Sequence, residues 1–368
     1  MTNAAGAPGP TFEMRILVLD DGIRGNFVQA AGIAYSFSGA EVCVAKIRLR
    51  GPCYVLPGRA GRYEAVAKIL AFFCVLRMWR LGYGILRFAL DAARSGQIEG
   101  RWDVVISAGS RLAPVNLLIA RRGDAAGVTV MTPSLLPLHL FDAAVIPRHD
   151  APRVTRSKDR IIVTRGAPNM LNPGTLARGG QRLRERLGAE ENAVFLGLLV
   201  GGNDQNYVMT REWISSILDA VSKGDAGVLM TSSRRTPPEV IGTMQRFASG
   251  SGRVAYAEFP PADVSHYPGI LALSSVALVT EDSINMVSEA ITAGAATVIL
   301  GVPRRRRKRL VFDATIRELV EGGYAVFVPA ERISDLSETI REVKKVNFRR
   351  LDEARRCAKM ISEKIRTR

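Results

Sequence analysis

The sequence predicts an α/β protein made of two Rossmann-like domains that face each other across a cleft. Three observations carry this expectation. Short apolar runs of strand length alternate with longer helical stretches along most of the chain, the pattern of parallel sheets covered on both faces. The 368 residues exceed what one hydrophobic core usually organises. A stretch rich in Pro, Gly, Asn and Arg between Pro147 and Asn192 splits the alternation into two similar sets.

Met14 to Leu19 (MRILVL) opens the first set as a strand, followed by the polar loop DDGIRGN and a helix from Phe27. Ala40 to Ile47 reads as the next strand. Ala65 to Ala93 is helical in character, and Gly82 and Gly84 are expected to divide it into two shorter helices. Val104 to Ala108, Val128 to Met131 and Ala143 to Ile146 are uncharged runs that complete the set. The first domain is therefore placed at 14–160 and the connection at 161–192. In the second set, strands are expected at Val194 to Val200, Gly227 to Met230, Val276 to Val279, Ala296 to Leu300 and Ala325 to Val328. They define a domain over 193–345. The end of the chain, from Ile333, looks helical, and 346–368 reads as a basic helix. Residues 1–13 (MTNAAGAPGPTFE) are small and polar, with neither a basic start nor an apolar run, and are expected to be a disordered tail and not a signal peptide.

Lys and Arg number 51 against 35 Asp and Glu, a formal charge of +16. Such a surplus suits an anionic membrane surface or phosphate-bearing substrates. Nucleic acid fits poorly, because no DNA- or RNA-binding motif is present and no basic patch is interleaved with stacking aromatics. Cys43, Cys53, Cys74 and Cys357 form no CxxC pair, which suits a reducing compartment and argues against a cysteine metal site. No His, Asp and Glu spacing suggests a metal site either, and no further cofactor is expected. No run reaches the roughly 18 uncharged apolar residues needed to span a bilayer. The helical stretch KILAFFCVLRMWRLGYGILRFAL is nonetheless unusually apolar, and Arg77, Arg80, Arg87 and Arg94 fall on one side of its helical wheel. That pattern fits a helix lying on an anionic membrane with Trp79 near the headgroups, and it fits equally a core helix with a solvated arginine face.

The segment from Val276 to Val302 (VALVTEDSINMVSEAITAGAATVILGV) carries the most chemistry. It reads as strand, polar loop, helix, strand, which gathers Glu281, Asp282, Ser283 and Asn285 where a helix begins. Unpaired N–H groups and the helix dipole make such a place an anion site. Glu289, about two turns into the helix, lies too far along to cap the first turn and can accept bonds from ribose hydroxyls. Phosphate and ribose together are what a nucleotide-sugar donor presents. An ordinary βαβ unit with an Asp or Ser cap fits the same residues.

Other loops fall after strands, where open α/β sheets bind ligands. Gly201, Gly202 and Asn203 follow the first strand of the second domain, and a glycine pair there suits close approach of a diphosphate. Ser233, Arg234, Arg235 and Thr236 follow the next strand and offer charge-assisted bonds to a leaving diphosphate. In the first domain Asp20 and Asp21 precede Gly22, Arg24 and Gly25, while Ser110 and Arg111 follow another strand. These five residues, Gly22, Arg24, Gly25, Ser110 and Arg111, are the acceptor-side candidates. A proton acceptor is sought among Asp20, Asp21, His149 and Asp150. The run from Arg304 to Arg309 is either a phosphate site or a solvated loop.

The stretches LDDGIRGNFVQAAGIA, SAGSRLAPVNLL, FDAAVIPRHD, TRGAPN, LLVGGNDQNY, MTSSRRTP and VTEDSINMVSEAITAGAATVIL follow one another across nearly the whole chain. In them the sequence resembles the bacterial and plant family labelled, from its plant members, as mitochondrial fission Elm-type proteins. That family is in turn similar to glycosyltransferases of the GT-B fold, through the glycine pair and the E-x7-E from Glu281 to Glu289. One departure stands out: where the family usually carries a Gly-His-Glu-like run, this chain has Gly25-Asn26-Phe27. The resemblance implies a GT-B-like fold and a metal-independent glycosyltransferase moving sugar from a nucleotide-sugar donor to a lipid-linked or cell-envelope glycan acceptor. The charge of +16, the apolar-basic helix and the lack of a signal or spanning run place the protein, as an expectation, in the cytoplasm, peripheral on the inner face of a bacterial inner membrane. A nonhydrolysing nucleotide-sugar epimerase and a non-catalytic membrane-associated scaffold are the alternatives.

Overall fold

The computed structural model of the chain describes residues 14–49, 59–94, 96–153, 158–252, 254–258, 266–306, 310 and 312–366. Within them lie two parallel sheets of six strands each. The first holds β1 (Met14–Asp20), β2 (Ala40–Lys46), β3 (Val104–Ala108), β4 (Ala126–Val130), β5 (Ala143–Pro147) and β6 (Ile161–Thr164), in the order β2-β1-β3-β4-β5-β6. Its helices are α1 (Arg24–Ala34), α2 (Arg59–Val75), α3 (Trp79–Ala89), the single turn α4 (Asp91–Arg94) and α5 (Ala113–Gly123). After α6 (Pro173–Leu187) come β7 (Phe195–Val200), α7 (Arg211–Ser222), β8 (Gly227–Ser232), α8 (Pro238–Gly250), β9 (Val254–Glu258) and α9 (Tyr267–Leu273). Then follow β10 (Ser274–Thr280), α10 (Ile284–Ala293), β11 (Ala296–Leu300), α11 (Phe312–Glu321), β12 (Val326–Val328), α12 (Leu336–Val343) and α13 (Glu353–Arg366). The second sheet has the order β12-β11-β10-β7-β8-β9.

Parallel strands buried on both faces must be apolar almost throughout, and β3, β4 and β7 are buried at every position. Alternate side chains serve opposite faces. Leu17, Leu19 and Val105 pack with Leu70, Cys74, Leu86 and Leu118 from α2, α3 and α5. Ile16, Val18 and Ile106 pack on the other side with Ala30 and Ile33 of α1 and with Cys357 and Ile361 of α13. In the second sheet Leu198, Met230 and Leu278 meet α7, α8 and α12 through Ile214, Met244 and Leu336. Val279 and Ile299 meet α10 and α11 through Val287 and Leu319.

The chain divides into two compact units. One comprises 1–164, 168–170 and 353–368, and the other 165–167 and 171–352. Ile161–Thr164, assigned from sequence to the connection, is a strand of the first sheet, paired with β5. The basic C-terminal helix is not an appendage. Its side chains Ala354, Cys357, Ala358 and Ile361 are buried at helical spacing, so it packs onto the first sheet beside α1. The break in the long apolar helix falls at Arg77, in a left-handed conformation with φ 56°, and not at the glycines. Gly82 lies inside α3, where a Cβ would come within 2.7 Å of Leu118 and 3.0 Å of Phe73. The expected tail at 1–13 and Cys53 lie outside the described residues.

Candidate functional site

Each sheet reverses its winding once, between β1 and β3 in the first and between β7 and β10 in the second. Outside the carboxyl ends of the strands, such a point leaves the crevice where doubly wound sheets take their ligands. The candidate loops lie at these two places because they directly follow those strands.

In the second unit the loops after β7, β8, β10 and β11 are bonded to one another. The Gly201 N–H donates to Thr280 Oγ1 at 2.8 Å, and the Gly202 N–H to Asp282 Oδ2 at 2.8 Å. Thr280 donates to Asp282 Oδ1 at 2.6 Å. A Cβ on Gly201 would lie 2.2 Å from Asp282 Oδ2, and one on Gly202 would lie 2.2 Å from the Arg235 carbonyl carbon. The glycine pair therefore makes room for protein, and the expected approach of a diphosphate at these two positions gives way to that packing. Thr236 donates to the Gly201 carbonyl and accepts from the Ser233 N–H at 2.9 Å. Asn203 is likewise engaged, donating from its N–H to the Arg235 carbonyl at 3.2 Å and accepting from the Met209 N–H at 2.7 Å.

Glu281 and Asp282 turn inward. Glu281 is only 2% exposed and accepts from the Val302 N–H at 2.9 Å and from Arg304 at 3.0 Å, with the Tyr207 hydroxyl at 3.4 Å. Arg304 also clamps Asp313 with both its terminal nitrogens, at 3.0 and 2.6 Å. Burial raises the Glu281 carboxyl above the usual range, against the Val302 N–H and Arg304, which hold it down. Burial raises Asp282 as well, opposed by Thr280, Gly202 and Arg235. The expected place of both carboxylates among donor ligands becomes a role in fixing the loops. Arg304, read from sequence within a phosphate-binding run, serves the same network, while Arg307, Lys308 and Arg309 lie outside the described residues.

What faces outward is the start of α10. Ser283 is its N-cap residue and makes no capping bond with its side chain. Asn285 and Glu289, four apart on this helix, share a face. Glu289 is partly exposed and accepts from the Tyr267 hydroxyl at 2.8 Å. Arg234 is exposed, and Arg235 is half exposed while reaching Asp282 at 3.3 Å. Sequence reading passed over two supports of this helix. Tyr267 orients Glu289, and the Ala167 N–H donates to Ser288 Oγ at 2.9 Å. Gly166 was the available signal, because a Cβ there would lie 2.9 Å from that hydroxyl.

In the first unit, Asp20 Oδ1 accepts from the Gly22 N–H at 2.8 Å and Asp21 Oδ1 from the Ile23 N–H at 3.0 Å. Gly22 has φ +79°, the left-handed conformation glycine tolerates best. Asn26 reaches Asp21 Oδ2 at 3.4 Å. Burial raises the Asp21 carboxyl, partly offset by the Ile23 N–H, Asn26 and Arg111. Arg24 is exposed and, with Gly25, forms the first turn of α1. Ser110 accepts from the Ser134 N–H at 2.8 Å, which ties the β3 loop to the β4 loop. Thr132 donates to Asp150 Oδ2 at 2.7 Å, and His149 lies 3.9 Å from Asp150 Oδ1. The order β1-β3-β4-β5 sets Asp21 and Asp150 three strand spacings apart, about 14 Å. The four acid-base candidates therefore form two separate groups. Among the described residues, no three His, Cys, Asp or Glu side chains gather as a metal site.

Two doubly wound parallel units, each with polar loops at its switch point, define the GT-B fold class. Similar solved structures bear this out. The UDP-GlcNAc 2-epimerase of Neisseria meningitidis, bound to UDP-GlcNAc, superposes with a TM-score of 0.60 at 13% identity, over 96% of this chain and 100% of that one. MnaA of S. aureus, in a co-structure with UDP, gives 0.55 at 12% identity over 96% of each chain. The model of the family described as Mitochondrial fission ELM1 matches residues 24–365, and the chain belongs to that family. The uncharacterized protein RP120 of Rickettsia prowazekii (strain Madrid E) is 24% identical, over 95% of this chain and 98% of its own.

Proposed function

We propose that the second unit binds a nucleotide-sugar at the β7–β10 switch point and that the protein transfers the sugar, without a metal, to a hydroxyl of a lipid-linked or cell-envelope glycan. The start of α10 carries this reading: an uncapped helix N-terminus at Ser283, with Asn285 and a tyrosine-oriented Glu289 on the turns behind it. Ser283 and the first-turn N–H groups take phosphate, Arg234 and Arg235 the diphosphate charge, and Glu289 with Asn285 the ribose. The sealed loops of Gly201, Gly202, Asn203, Ser233, Thr236, Glu281 and Asp282 hold these groups in place. With Glu281 and Asp282 committed to loop bonds, the proton acceptor comes from the first unit. Asp21 serves best, since burial makes it more basic than an ordinary carboxylate. Gly22, Arg24, Gly25, Ser110 and Arg111 then line the acceptor side, and the His149–Asp150 group stands apart as the second candidate for the base. The surplus of +16 suits an acceptor at the cytoplasmic face of a bacterial inner membrane.

Calorimetric titration with UDP, GDP and ADP tests the donor site. One of them is expected to bind, and Glu289→Ala to weaken it by about 1–3 kcal/mol, the range for deleting one partner of a buried polar contact. Equal affinity in the variant removes the assignment. A second reading, a nonhydrolysing epimerase, draws support from the two solved structures above. Incubation with a nucleotide-sugar separates the two: nucleoside diphosphate released only when acceptor is present supports transfer, and an epimerised sugar without acceptor supports the alternative.

A further inference from the structure

The α2–α3 hairpin has no part in either candidate group, and its outer surface is unusual. On α2, Ala67, Leu70, Ala71 and Cys74 are buried against the first sheet's core. The opposite side is apolar as well. Ile69 and Phe72, and Leu76 just past the end of the helix, are 50%, 59% and 51% exposed. On α3, Tyr83, Leu86 and Ala89 are buried, while Leu81 and Phe88 are 58% and 63% exposed. Val75 and Met78, at the turn between the helices, are exposed too. A surface helix ordinarily turns a polar face to water. Here two packed helices both turn an apolar one outward, and clustered exposed apolar side chains of this kind mark interaction surfaces.

Charge selects what covers it. Residues 62–90 contain Arg62, Lys68, Arg77, Arg80 and Arg87 against the single acid Glu64; Glu64 is paired with Lys68 at 2.9 Å, and Arg87 lies 3.6 Å from the exposed Glu99. Arg77, Arg80 and Arg87 are exposed beside Leu76, Leu81 and Phe88. Trp79, partly exposed, opens α3 between them. A second copy of the same face would set arginine against arginine. An anionic bilayer instead offers an apolar layer beneath a plane of phosphates, which matches an apolar centre flanked by arginines.

We propose that the α2–α3 face inserts Phe72, Leu76, Leu81 and Phe88 into the interfacial layer of an anionic membrane, with Arg77, Arg80 and Arg87 against lipid phosphates. This deepens the membrane-face part of the function proposed above. Its test uses no nucleotide, so either reading can fail alone. The full chain is mixed with vesicles of phosphatidylcholine containing 30% phosphatidylglycerol, or of phosphatidylcholine only, and sedimented. Binding to the anionic vesicles is expected to fall at least tenfold in Phe72→Ser/Leu81→Ser/Phe88→Ser and in Arg77→Glu/Arg80→Glu, with thermal midpoints unchanged. Brominated lipid reads the unmutated protein: it should quench fluorescence that is lost in Trp79→Phe. Undiminished vesicle binding in the triple variant overturns the proposal. So does absence of quenching at Trp79, or a dimer in solution that the triple variant dissociates.

Discussion

Replacing Gly201 by Ala probes whether the glycine pair serves the protein or a ligand. The added Cβ would sit 2.2 and 2.3 Å from the two oxygens of Asp282, so the carboxylate must leave its place. Overpacking of this kind costs about 1–3 kcal/mol. Displacing Asp282 also strips the buried Gly202 N–H of its acceptor, worth about 1–3 kcal/mol more. The Arg235 contact adds little, because that side chain is 50% exposed. The expected total is about 2–6 kcal/mol. At roughly 2–4 °C per kcal/mol for a unit of this size, the midpoint of the second unit should drop by about 10 °C.

The control is the same substitution in an Asp282→Ala background. With no carboxylate to collide with, the new methyl finds space, and its penalty should shrink by about 2 kcal/mol. Contacting residues couple on that scale, whereas independent ones add to within about 0.5 kcal/mol. Urea unfolding followed by circular dichroism measures all four proteins. Additive penalties would refute the reasoning. So would a Gly201→Ala protein of full stability that no longer binds nucleotide, since the glycine would then be reserved for phosphate.

Three further outcomes follow from the site. Asp21 has a carboxyl raised by burial, so its charged form is disfavoured in the folded protein. The stability it contributes is present below the unfolded pKa, about 3.9, and is lost as pH rises through the higher folded value. Asp21→Asn should therefore gain on wild type as pH climbs from 4 towards neutrality, and urea midpoints moving the other way contradict the assignment. Tyr267→Phe removes the hydroxyl that holds Glu289 at 2.8 Å and should weaken nucleotide binding by about 0.5–1.5 kcal/mol; calorimetry showing no change would free Glu289 from that role. Transfer should persist in excess EDTA and fall about 100-fold or more in Asp21→Asn with donor affinity kept. Abolition by EDTA removes the metal-free step, and full turnover in the variant passes the base to Asp20, His149 or Asp150.

The central strands were legible because parallel strands buried on both faces must be apolar throughout, and runs such as VVISA and FLGLLV announce it. The strands that escaped notice, Ile161–Thr164 and Val254–Glu258, are edges of their sheets. An edge strand has one partner, so it can be short or carry polar residues. The IIVT of β6 sits directly after Lys158, Asp159 and Arg160, and the VAYAE of β9 ends on an acid. The C-terminal helix was legible as a helix, but its packing onto the first sheet was not, for a related reason. Its charge dominates its composition, while the stripe Ala354, Cys357, Ala358 and Ile361 that anchors it consists mostly of small side chains.

At the candidate site, residue types were legible and directions were not. Glu281 and Glu289 are equal members of a sequence pattern, but their surroundings separate them. β10 lies between β11 and β7, so the residues leaving its carboxyl end have a neighbouring loop on either side. Glu281 therefore reaches the loop after β11, at Val302 and Arg304. Asp282 reaches the loops after β7 and β8, at Gly202 and Arg235. Two adjacent acids thus tie β10 to its neighbours on both sides. Their partners in those neighbouring loops lie between 21 and 80 residues away, separations that no local spacing displays. Glu289 sits on a helix face beyond this seam, partly exposed and held by the Tyr267 hydroxyl at 2.8 Å. The two acids directly after the buried strand are drawn into bonding neighbouring loops, while the one two turns along the following helix bonds a side chain of the helix before the strand, Tyr267 of α9.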